Sequence, residues 1–148
     1  MNKGQSLVEF ALTLPIILML GMGIVDLGFI IHAQVQVSGA SYEGARVGSL
    51  FVGNVNDLTT QNDGARATAI RSAVSNALGL LDTTNPQNFD PSSDVQITYY
   101  PNSPSNSTRT GDEVLVTVRY RQPVWFSLLA GISNGRYAVS SSTRIRIQ

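Results

Sequence analysis

The chain has 148 residues, 10 Lys plus Arg against 10 Asp plus Glu, and no cysteine. That length suits one domain, and the balanced charge offers nucleic acid no basic surface. The missing thiol removes disulfides, thiolate metal sites and cysteine nucleophiles together. The apolar residues are unevenly spread: much of the total falls between Leu7 and Ile31, which leaves a remainder rich in Ser, Thr and Asn.

Between Leu7 and Ile31 only Glu9 and Asp26 are ionisable. As a helix this stretch of about 25 residues reaches about 37 Å, enough to cross a bilayer with some tilt. The short positive leader Met1-Asn2-Lys3-Gly4 predicts an inside N-terminus, with the rest of the chain outside the cytoplasm. Pro15 predicts a kink or a loosened turn, and Gly21, Gly23 and Gly28 leave room for close packing. A buried core helix is the competing reading. It is disfavoured because the polar remainder has too little apolar surface to cover a helix that is apolar all round. A cleaved secretory signal would carry an apolar region of about 7–15 residues ending in small residues. Here the run is longer and Ile31-His32-Ala33 starts with a bulky residue, so a retained anchor is expected.

Glu9 is out of place in such a span. A carboxylate costs about 2.5–3.5 kcal/mol at the centre of a membrane helix and less near its end. Cleavage after Gly4 would leave the α-amino group of Gln5 four residues before Glu9, on the same helical face. The two charges could pair within one chain. They could also pair between staggered chains, where an unpaired charge would penalise wrong registers. Asp26 is too far along to meet Glu9. It is expected at the outer interface, marking the end of the span, with a charge on a neighbouring membrane helix as the alternative partner.

Gly4-Gln5-Ser6-Leu7-Val8-Glu9-Phe10-Ala11-Leu12 resembles a class III (type IV prepilin) signal: a short basic leader, a Gly before the scissile bond, and a Glu just inside the apolar helix. Its continuation as Ala-Leu-Thr-Leu-Pro-Ile from Ala11 resembles the TadE/TadF-like pseudopilins of tight-adherence (Flp, type IVc) pilus systems. Gln36-Val37-Ser38-Gly39-Ala40-Ser41-Tyr42-Glu43-Gly44-Ala45-Arg46 is similar to the small-residue segment that follows the membrane helix in that family. The resemblance implies cleavage between Gly4 and Gln5 by a membrane aspartic prepilin peptidase, with N-methylation of Gln5. It also implies a minor pilin or pseudopilin working with other pilins and the pilus assembly platform. On this reading residues 1–4 are the leader, 5–32 the transmembrane helix and 33–148 an extracytoplasmic α+β domain. The protein would sit in the bacterial cytoplasmic membrane or be incorporated in a pilus.

Past His32 the helical pattern continues to about Phe51, a total of roughly 69 Å from Ser6. Val37, Ala40, Gly44, Val47, Gly48 and Phe51 share a face, narrowed by the Ala40-x3-Gly44-x3-Gly48 stripe. A groove for the domain's own sheet is the favoured use of that stripe, ahead of an intersubunit contact. Gly53 to Asp63 reads as a loop. Asn62 or Asp63 caps a second helix with Ile70, Ala73, Val74, Ala77, Leu78 and Leu81 as its apolar stripe, and Gly79 begins its end.

Three alternating runs follow a Pro-broken stretch from Asp82 to Ser93. They are Val95-Ile97-Tyr99, then Val114-Val116-Val118-Tyr120, then Tyr137 to Gln148 with Val139, Ile145 and Ile147 opposite Arg144 and Arg146. The fold class expected is α+β. A long N-terminal transmembrane helix extends into a pilin-like domain, with a second helix packed on a small antiparallel sheet of three or four strands. The apolar connection Gln122 to Ile132 is read as a short helix packed on the sheet, in preference to docking on a membrane surface or a partner. The exposure of Trp125 discriminates between the two.

No catalytic constellation, cofactor motif or metal pattern is evident. His32 is the single histidine and reads as an interfacial polar residue. Asp57, Asp63, Asp82, Asp90 and Asp94 lack calcium-loop spacing and read as solvated loop acids. The alternative function is a signal-anchored adhesin or receptor whose activity survives in residues 33–148 alone.

Overall fold

A computed structural model of the chain describes residues 3–50, 60–100, 111–125 and 135–147. Within these, two helices, α1 (Lys3–Leu50) and α2 (Thr60–Ala77), precede three strands: β1 (Val95–Tyr100), β2 (Glu113–Pro123) and β3 (Arg136–Arg146). The strands pair antiparallel in the order β1-β2-β3, so the architecture is α+β. α1 stays helical through Pro15, although Pro15 has no N–H to give the carbonyl four residues before it. α2 begins at Thr60, so the predicted loop gives way to helix a few residues before Asp63. Phe51, the segment 101–110 and the stretch 126–134 lie outside the described residues.

Alternation sets the sheet's two faces. Val114, Val116, Val118 and Tyr120 of β2 are buried, as are Val95 of β1 and Val139 of β3, and each pairs in register with an inward neighbour. α1 lies across β2 and β3, while α2 packs mainly along α1 and reaches β1 only at its edge. The core is closed by Ala33, Val37 and Ala40 from α1, by Ile70 and Val74 from α2 and by Leu78 just past its end. Leu81 and Ala77 pack against its rim.

Two glycines set how closely α1 approaches. A Cβ on Gly44 would stand 2.6 Å from Val74 Cγ2 and 3.4 Å from Val116 Cγ1. One on Gly48 would meet Ile70 Cδ1 at 2.8 Å and Val114 Cγ1 at 3.5 Å. Four residues of helix rise about 6 Å and two residues of strand about 6.6 Å. A small residue every fourth position on α1 therefore keeps step with every second residue of β2, which runs down the helix in the opposite direction. On the β3 side the seam is polar. Buried Ser41 places its Oγ 2.8 Å from Thr143 Oγ1 and 3.2 Å from Ser141 Oγ. This gives the inward hydroxyls of a Ser-rich strand partners, as burial requires.

The connection from α2 to β1 is built from hydrogen-bonded turns. Asp82 accepts from the Thr84 hydroxyl and from Asn88 Nδ2, and Asp90 accepts from the Ser92 hydroxyl and backbone N–H. The Thr84 hydroxyl bond foremost holds Asp82 below the ordinary carboxylate range, and the Ser92 hydroxyl does the same for Asp90. Each contributes stability that is complete above the ordinary carboxylate pKa and lost as pH falls through the lowered value. Asp94 departs from the solvated-acid expectation. It is buried, and Arg121 holds its two oxygens at 2.8 Å each. The loop runs on beside the end of β2, with Arg121 N–H donating to Asn88 O and Arg119 N–H to Asp94 O. This brings the acid under the guanidinium. Asp94→Ala is expected to cost about 1–3 kcal/mol, because partly exposed Arg121 recovers some hydration while the Asp90 N–H also loses its acceptor. Urea unfolding of the micelle-held chain, followed by circular dichroism, measures it.

Candidate functional site: the exposed helix and its junction with the sheet

α1 divides into two halves. From Leu7 to Ile31 its large apolar side chains are exposed, among them Leu7, Leu12, Ile16, Leu20, Ile24, Leu27 and Ile31. Only 6% of its most apolar 18-residue window is covered by the rest of the chain. A soluble core helix would be covered on most sides, so this helix carries a surface suited to lipid or other apolar helices. Gly4, Gln5 and Glu9 all lie on the exposed first turns, with open space around Gly4. Among the described residues Glu9's carboxylate has no ion-pair partner; its carbonyl accepts from the Thr13 hydroxyl at 3.1 Å.

Cover from the domain begins at Asp26 and follows one helical face through Ile30, Ala33, Val37 and Ala40. Ala40 is buried in the core, and Gly44 and Gly48 face α2 and β2 of the same chain. On the outer face of this stretch Glu43 and Arg46 form an exposed ion pair at 2.6 Å. Arg46's hydrogen bond holds the Glu43 carboxyl below its usual range. The stripe thus reads as an intramolecular seat, while the charged flank stays in solvent.

Asp26 is 8% exposed, and its Oδ1 accepts the backbone N–H of Trp125 at 3.2 Å. The two residues are brought together by the step-matched descent of β2 along α1. From Val116 to Trp125 the strand direction covers about 30 Å, and from Gly44 to Asp26 the helix covers about 27 Å. Trp125 itself is 86% exposed. The packed-helix reading of residues 122–132 therefore fails at Trp125, and 126–132 lie outside the described residues. β2 continues past the domain's core and delivers the chain to the exposed half of α1. Beyond Pro123 the ribbon is held by Val124 N–H donating to Gly135 O, and Gly135, at φ 63°, turns the returning strand. An apolar cavity of about 600 Å³ lies there, lined by Ile17, Leu18, Gly21, Met22, Val25, Asp26, Phe29 and Trp125.

A second, open cleft of about 760 Å³ lies between Arg121 and Arg136. Both guanidiniums are already engaged there: Arg121 by Asp94, and Arg136 by Asn88 Oδ1 and Gln87 Oε1. Among the described residues no three His, Asp or Glu side chains group to hold a metal ion.

An exposed apolar helix headed by Gly-Gln and carrying one early Glu thus runs on into a small-residue face. Residues 4–46 match the family of TadE-like proteins. The TadE-like segment takes in the whole exposed half of α1 and the inward face as far as Ala45 and Arg46, and stops short of α2 and the sheet. No curated protein and no solved structure matches the chain. Sequence reasoning passed over the Asp26–Trp125 contact. The available signal was the pairing of the chain's single Trp, just past a strand, with the last acid of the apolar run.

Proposed function

We propose that this chain is a minor pilin or pseudopilin of a tight-adherence (Flp-type) pilus or a related secretion apparatus. α1 holds it in the bacterial cytoplasmic membrane, with α2 and the sheet outside the cytoplasm. Prepilin peptidase removes residues 1–4, and the new amine of Gln5 pairs with Glu9 of the same or a neighbouring chain. The observation that carries this reading is a Glu9 carboxylate without an ion-pair partner among the described residues, on an exposed apolar helix whose residues 4–46 are TadE-like. In hydrocarbon a lone carboxylate is penalised until a cation reaches it. A subunit's helix would then be drawn to the register that supplies one, and other pilins and the assembly platform would offer matching apolar helices.

Intact mass of protein extracted from membranes of a host containing the peptidase is expected to show a chain beginning at Gln5. Gly4→Leu is expected to leave the leader attached by blocking the peptidase's approach to the scissile bond. A wild-type chain still beginning at Met1 contradicts the proposal. The adhesin or receptor alternative gains little from the cleft at Arg121 and Arg136, since both cations are already satisfied within the domain.

A further inference from the structure

We infer that Trp125 docks on the outer leaflet of the bilayer that α1 spans, at the boundary between headgroups and acyl chains, and that Asp26 positions it there. The inference rests on the membrane-anchored reading above and adds a second membrane contact, made by the far end of the β2–β3 ribbon.

Depth is the first argument. About 29 Å of helix separates Leu7 from Asp26, against a hydrocarbon core about 30 Å thick. With Leu7 at the inner boundary, Asp26 falls at the outer one. The hydrogen bond from the Trp125 N–H fixes the ribbon's end to that level. Side-chain chemistry is the second. Trp125 is 86% exposed and borders the same open apolar pocket as Val25, Met22 and Phe29, which are themselves exposed. Water is a poor neighbour for all of these at once, whereas the interface suits an indole, with an apolar ring and one N–H donor. Phe29, 48% exposed, and Tyr137, 45% exposed at the membrane-proximal start of β3, add to an aromatic belt at the same end of the domain.

Asp26 offers an acceptor on the helix to a backbone N–H that has run past the sheet, which ties Trp125 to that level of α1. The domain would then rest on the bilayer at two points, α1 and Trp125, which limits its tilt about the helix.

Trp125 is the single tryptophan, so its emission reports this contact alone. Full-length protein is reconstituted into phosphatidylcholine vesicles and shown to float with them, which tests the anchor separately. The expected result is blue-shifted emission that resists acrylamide and loses most of its intensity to lipids brominated near the top of the acyl chain. Lipids brominated near the chain end should quench it less. Quenching by acrylamide without quenching by bromine overturns the docking, and shielding from both quenchers overturns lipid as the occupant in favour of a second protein surface. Asp26→Leu is expected to shift quenching from bromine toward acrylamide, while Asp26→Asn, which keeps the acceptor oxygen, retains the wild-type pattern. Unchanged bromine quenching in Asp26→Leu overturns the positioning role of Asp26. Protein that fails to float overturns the anchored reading, and this inference with it.

Discussion

Replacing Gly44 with Leu is expected to destabilise the domain formed by α2, the sheet and the second half of α1 by about 3 kcal/mol, at the upper end for overpacking. Even one added carbon would stand 2.6 Å from a Val74 methyl and 3.4 Å from one on Val116. Val74 is β-branched within a helix, so its χ1 is nearly fixed and the methyl cannot swing away. Relief requires α1 to lift from both α2 and the sheet. Gly48→Ala presents the contrasting case. Its close neighbour is Ile70 Cδ1, the far end of a side chain, and the roughly 1 kcal/mol gained in helix propensity offsets most of the strain. Gly39 has open space around it, so Gly39→Ala is expected to be neutral or to stabilise by up to about 1 kcal/mol. Urea titration of the three variants in one detergent ranks them. A Gly44→Leu domain as stable as Gly39→Ala would mean that α1 is not seated on α2 and β2 at that position.

Glu9→Leu is expected to separate insertion from assembly. Removing a carboxylate from an apolar helix can only favour the bilayer, so flotation with membranes is retained. On the proposed processing, assembly should suffer, because the Gln5 amine would then sit uncompensated in a low-dielectric bundle. Leaving one member of a buried pair alone costs about 3–5 kcal/mol, which at 3 kcal/mol is on the order of a hundredfold per contact. Glu9→Gln keeps hydrogen bonding and removes the charge, and is expected to lie closer to Leu than to wild type. Cross-linking between α1 helices in intact membranes reads the result, and wild-type cross-linking by Glu9→Leu would show that charge does not set the register.

Much of this architecture could be read from local pattern. The apolar run fixes α1's exposed half because no other part of the chain is greasy enough to cover it. Val114, Val116, Val118 and Tyr120 alternate cleanly, and all four are buried. The small-residue stripe announced a close approach, and α2 and β2 are what approach it. Three features were not legible, all for the same reason: period and composition describe faces, not which distant residue a face meets. Asp94 looked like a surface acid until Arg121 came beside it across the loop. Alternation put Ser141 and Thr143 on the face of Val139 and Ile145, but nothing in it named Ser41 as the residue they meet. Trp125 looked like core because apolar connections usually are, yet the strand carries it beyond the core to Asp26. Matching the four-residue step of the helix to the two-residue step of the strand would have pointed to that meeting.

The account depends most on the division of labour along α1, with lipid around its first half and protein around its second. Flotation of the full chain with phospholipid vesicles through an alkaline carbonate wash, without detergent, tests it most directly. The expected outcome is that the protein stays with the vesicles after the wash. A chain that remains in the aqueous phase as a stable monomer, with Leu7 to Ile31 covered by its own fold, would contradict it.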